Sequence, residues 1–95
     1  MDISTNSNRI TIEGNIKSNS DFQAIKSGVD AVVRTNKSII VDVKDSLSFT
    51  SATIGYFTKL IMKDKIDVHV NVGDKDLYNL LDDLNLVSTF KLKRI

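Results

Sequence analysis

Three observations predict an α/β fold with a mixed, mostly parallel sheet of four to five strands. Short runs with strand character recur at Arg9–Glu13, Ser38–Val43 and Ile66–Val72. Between and after them lie segments whose apolar residues repeat at helical spacing. A polar turn, Asn6-Ser7-Asn8, precedes the first run and folds the start of the chain into a hairpin. Strands that alternate with helices pair in parallel through right-handed crossovers, and the hairpin adds one antiparallel strand. The expected order is β-β-α-β-α-β-α with a short tail.

Each element has a local reason. Arg9-Ile10-Thr11-Ile12-Glu13 alternates polar and apolar side chains, as a strand with one buried face does, and Gly14-Asn15 ends it. Ser20-Asp21-Phe22-Gln23 reads as a capping box, with Asp21 suited to the positive end of the helix dipole. Phe22, Ile25, Val29, Val32 and Val33 share one helical face, closed by Asn36-Lys37. Ser38–Val43 is β-branched and nearly continuous, which suits a central strand buried on both faces. Asp45–Thr50 is a polar loop with two apolar anchors, Leu47 and Phe49. A second helix begins near Ser51, with Ile54, Phe57, Leu60 and Ile61 on its inner face. Ile66–Val72 alternates throughout. Gly73-Asp74 makes a turn in which Asp74 is placed to cap a third helix, whose inner face is Leu77, Leu80, Leu81 and Leu84. Asn85 suits the left-handed position after that helix, and Phe90-Lys91-Leu92 a terminal edge strand.

Composition narrows the function. The 95 residues make a single domain, 1–95. Thirteen basic residues against 12 acidic leave a net charge of +1, without the basic surplus of a nucleic-acid module. Cysteine is absent, which excludes disulfides, thiol catalysis and thiolate metal sites, and the single histidine excludes a histidine cluster. There is no long apolar run and no basic-then-apolar leader, so a cytoplasmic protein without membrane insertion is expected. None of the glycine-rich phosphate loops or nucleophile elbows is present. With a lone histidine and one glutamate the acid–base inventory is thin, and the expectation is a non-enzymatic protein with no cofactor or metal.

One stretch resembles a known family. Leu47-Ser48-Phe49-Thr50-Ser51-Ala52-Thr53-Ile54-Gly55, after the strand Ile40-Val41-Asp42-Val43, is similar to the phosphorylation loop of the STAS domain, the fold of bacterial anti-sigma factor antagonists. There a strand of type I-V-x-D-x leads into V-T-F-x-D-S-S-G-L-G and an amphipathic helix. Gly14-Asn15-Ile16 resembles the family's G-x-L, and Leu81 to Phe90 its closing helix and L-x-x-x-F tail. The resemblance covers most of the chain and implies helices packed mainly on one face of the sheet. It also implies a protein partner, an anti-sigma factor with a kinase-type ATP fold or a related switch protein. In the ungapped match Ser51 stands where the family has Asp, Ala52 at its phosphorylated Ser, Thr53 at the second Ser and Ile54 at the Gly. A shift by one puts Ser51 at the phosphosite but spoils the match of Leu47-Ser48-Phe49. Ser51 and Thr53 are thus the candidate phosphoacceptors.

The candidate partner-binding residues are Asp45, Ser48, Thr50, Ser51, Thr53, Tyr56 and Lys59. A hydroxyl at a helix N-terminus is a good phosphate position, because free amides and the dipole stabilise the anion. The simpler role for Thr50, Ser51 and Thr53 is helix capping. Tyr56 lies one residue from the core position Phe57, about 100° round the helix, either as an exposed anchor or as a partly buried rim residue. His69 falls on the strand face opposite Val68, Val70 and Val72, an ordinary surface position. Asp42 is read as a satisfied structural carboxylate, bonded to loop amides, or else as the lining of a phosphate or ligand pocket. Two protein-binding functions remain: a regulatory module that sequesters its partner, and a constitutive scaffold subunit of a larger, for example transporter-associated, assembly without a phosphorylation cycle.

Overall fold

In the computed structural model, which describes residues 1–95, chain order and sheet order coincide. The elements are β1 (Asp2–Asn6), β2 (Arg9–Glu13), α1 (Asn19–Val33), β3 (Ser38–Val43), α2 (Ser51–Met62), β4 (Asp67–Val72), α3 (Lys75–Asp83) and β5 (Lys93–Arg94). They form one five-stranded sheet in the order β1-β2-β3-β4-β5. The β1–β2 pair is antiparallel and the other three pairs are parallel. Ser7, with φ at 57°, supplies the positive dihedral of the tight hairpin turn.

This order decides where the helices go. Each crossover, β2 to β3, β3 to β4 and β4 to β5, steps in the same direction. Crossovers are right-handed, so three steps one way lay α1, α2 and α3 on one face of the sheet. Strand burial agrees: Ile10, Ile12, Ile39, Val41, Val43, Val68, Val70 and Val72 are buried under the helices. Their alternates, among them Arg9, Thr11, Ile40, His69 and Asn71, look out on a face that no helix covers. Ser38–Val43 is therefore central but not buried on both sides, as its composition suggested. Ile40 is only half-buried because nothing packs above it.

Between sheet and helices lies a core of 21 buried apolar residues. Phe57 of α2 is its centre, meeting Phe90 edge to face with ring centroids 6.3 Å apart and Phe49 at 6.2 Å. Glycine matters where the strand ends converge. A side chain on Gly73 would place its Cβ 2.0 Å from the Lys44 carbonyl oxygen, so the β3 and β4 exits close up only over glycine.

Several boundaries differ from the sequence expectation. The capping box of α1 is Ser18 with Asp21, not Ser20 with Gln23. The Asp21 amide donates to Ser18 Oγ at 3.1 Å, and the Asp21 carboxylate accepts from the Ser18 and Lys17 amides. Aspartate reaches back as well as glutamine would, and the backbone bonds hold its carboxyl below the usual carboxylate range. Residues 90–92 do not form the edge strand. Lys91 adopts φ of 48°, Phe90 and Leu92 are buried as plugs, and pairing resumes at Lys93. Asn85 does take the left-handed position, φ 61°, and the Leu86 and Asn85 amides close a Schellman motif on Leu81 and Asp82.

Candidate functional site

The loop after β3 is stitched to the loop after β2. The Asp45 carboxylate accepts the Gly14 amide at 2.6 Å, and Asn15 Oδ1 accepts the Leu47 amide at 2.8 Å. Ser46, fully buried, accepts the Ile16 amide at 3.1 Å and donates to the Ser48 carbonyl at 2.8 Å. Gly14, at φ 87°, makes the bend that offers its amide. Phe49 pins the far end against Phe57. Leu47 is not the second anchor expected of it. It is 59 % exposed at the crest of the loop.

The loop feeds the first turn of α2. Thr50 is the N-cap, and its hydroxyl accepts the Thr53 amide at 3.2 Å. Thr53 is fully buried, with its hydroxyl 2.9 Å from that of Thr50. In this fold the Thr53 hydroxyl, a candidate phosphoacceptor by sequence, is a buried structural group closed off from solvent. Ser51 and Ala52 are exposed, leaving Ser51 as the accessible hydroxyl in the helical part of that turn. Down the outer side of α2 runs an exposed stripe of Ala52, Gly55, Lys59 and Met62. Nothing lies within 4 Å of a Cβ built on Gly55, so the fold itself gives no steric reason for glycine there.

Of the predicted docking residues, the structure brings Asp45, Ser48, Thr50, Ser51 and Lys59 to this surface, with Thr50 half-buried. It removes Tyr56 as well as Thr53. Tyr56 is buried, with its ring edge-on to Phe22 at 6.1 Å between centroids. Its hydroxyl donates to Asp30 of α1 at 2.5 Å. Burial, then the bond and charge of Asp30, push the Tyr56 hydroxyl well above the usual tyrosine range. An aromatic whose one polar atom is satisfied inside can be core, and the inner face of α2 is accordingly centred on Thr53, Tyr56, Phe57 and Leu60.

Asp42 leaves the loop amides to Asp45 and Ser46. It points to the uncovered face, only 6 % exposed, where it pairs with Arg9 and accepts from Asn71 Nδ2 at 2.9 Å. Beside it the open face forms a depression of about 360 Å³ whose lining includes Arg9, Ile40, His69, Asn71, Lys91 and Lys93. At its rim Asp67 binds Lys91, His69 at 3.0 Å and Ser38 at 3.1 Å. The hydrogen bonds from Lys91 and His69 lower its pKa to about 2. Sequence reading missed this basin. Its signal was the polar half of each alternating strand, which becomes a site only once register sets Arg9, Ile40 and His69 side by side.

Protein-family models, curated proteins and solved structures contain no match to this chain.

Proposed function

We propose that this chain is a non-enzymatic, cytoplasmic, protein-binding module of STAS-like fold. It docks a kinase-type anti-sigma factor or a related switch protein through the loop Asp45–Thr50 and the outer side of α2. The observation that carries this reading is the exposed stripe from Leu47 through Ala52, Gly55 and Lys59 to Met62. Leu47 and Met62, 59 % and 64 % exposed, give it apolar ends. Gly55 in mid-helix costs roughly 1 kcal/mol against alanine, with no steric return inside the chain. A partner backbone approaching closely at Gly55 accounts for that cost. Ser51, exposed at the helix start, is where a phosphate would alter the contact, because free amides and the dipole hold the anion there.

Ala52 favours a second reading. It is exposed and carries no hydroxyl at the family's usual acceptor position, which suits a constitutive scaffold subunit of a larger assembly. Isothermal titration against the kinase-type anti-sigma factors of the same genome tests the first reading. Binding is expected, weakened about tenfold or more by Lys59→Glu and by Gly55→Leu. Mass spectrometry after incubation with ATP and the bound partner separates the two readings. Phosphate on Ser51 supports the switch, and an unmodified chain in a stable complex supports the scaffold. No binding to any such protein rejects the proposed partner.

A further inference from the structure

The uncovered face of the sheet carries a second cluster of chemistry, away from the loop and α2. Register builds it in two ranks. Arg9, Ile40 and His69 are neighbours across β2, β3 and β4, and Asp42, Asn71 and Lys93 across β3, β4 and β5. Lys93 stands three strands from Arg9 and one rank further along, so at about 4.8 Å between strands and about 3.3 Å per residue the two backbones are roughly 16 Å apart on opposite sides of the basin. Two long side chains can close that distance on a shared anion.

The charges are arranged to stay available. Asp42 and Asp67 number one fewer than the three permanent cations of the basin, Arg9, Lys91 and Lys93. Lys93 forms no ion pair. Arg9 gives Asp42 a hydrogen bond from one terminal nitrogen, keeps other guanidinium donors free and leaves its side chain 49 % exposed. The buried Asp42 carboxylate thereby holds Arg9 in place, while Asp67 holds His69 and Lys91 at the rim. Ile40 and Ile95 supply apolar lining. The volume lies at the lower end of the roughly 300–1,000 Å³ usual for small-molecule sites.

We infer that this basin is a binding site for a small phosphomonoester. A dianion with oxygens on several sides uses Arg9 and Lys93 from opposite rims, and the isoleucines contact a compact apolar body. A monocarboxylate would reach one rim only. The flat, two-strand-wide floor suits a small molecule and has no groove to track a polymer.

The test is an amide-resolved NMR titration of the full chain with phenyl phosphate. Benzyl alcohol and phosphatidylcholine vesicles containing phosphatidic acid serve as comparison arms. The expected result is saturable movement of the Arg9, Ile40, His69 and Asn71 signals with phenyl phosphate, none with benzyl alcohol, and none at Ser51 or Lys59. Affinity falls about tenfold in Lys93→Gln and in Arg9→Gln. Lys93 is exposed and without an ion-pair partner, so its variant folds even if Arg9→Gln does not. The inference is overturned by a lack of saturation up to about 10 mM, by an equal response to benzyl alcohol, by binding to the vesicles alone, or by a Lys93→Gln variant that binds as the native chain does.

Discussion

Tyr56 of α2 donates its hydroxyl proton to the Asp30 carboxylate of α1 at 2.5 Å, and Lys26 reaches the same carboxylate at 2.9 Å. This clasp joins the two helices above the core. Burial works to raise the Asp30 pKa, but the bonds from Tyr56 and Lys26 outweigh it and hold the carboxyl below its usual value. Tyr56→Phe keeps the ring and loses the bond, at a cost of about 1 kcal/mol in urea unfolding. The raised tyrosine pKa sets the sign with pH. The contribution is complete below pH 10 and is lost as pH rises through the higher folded value. Ultraviolet titration should show Tyr56 resisting ionisation until the fold opens.

Two glycines make opposite predictions. Gly73→Ala forces a Cβ onto the Lys44 carbonyl at 2.0 Å and should destabilise by about 3 kcal/mol or prevent folding. Gly55→Ala enters open space on an exposed helix and should stabilise by roughly 0.5–1 kcal/mol. Denaturant midpoints of the two variants, on either side of the native chain, check both.

The start of α2 separates structural from accessible hydroxyls. Thr50→Ala removes the cap from the Thr53 amide and should cost about 1 kcal/mol. Ser51→Glu, in the first turn and exposed, should be neutral or stabilising by a few tenths of a kcal/mol. Thermal melts at low ionic strength compare them.

Acid should act through Asp67. Its folded pKa, about 2, lies below the usual aspartate range because Lys91, His69 and Ser38 bond its carboxylate. A depressed carboxylate contributes stability that is present above the unfolded value and is lost as pH falls from about 4 towards 2. Carboxyl-carbon NMR follows the titration directly. In Lys91→Gln the Asp67 midpoint should rise, and in Asp67→Asn this part of the acid destabilisation should vanish.

Much of the fold was legible because most elements satisfy only local rules. The alternation of Ile66–Val72, the cap at Asp74 and the left-handed Asn85 follow from backbone chemistry within a few residues, and the structure has each of them. Features that depend on a distant partner were not legible. Tyr56 faces inward because Asp30, a turn near the end of α1, accepts its hydroxyl. Thr53 is interior because Thr50 satisfies it. Leu47 reads as an apolar anchor of its loop by its side chain alone, whereas the stitching of the loop through Ser46 and Asn15 turns it outward. The basin depends on register across four strands, which no single strand records.

The agreement between strand order and chain order has a consequence for biosynthesis. Each strand settles beside the one made just before it, so a nascent chain leaving the ribosome meets its docking edge already formed. No strand must wait for a later one to be inserted at its flank. Assembly can proceed by accretion, from the first hairpin outward, with one growing edge at a time for a chaperone to shield.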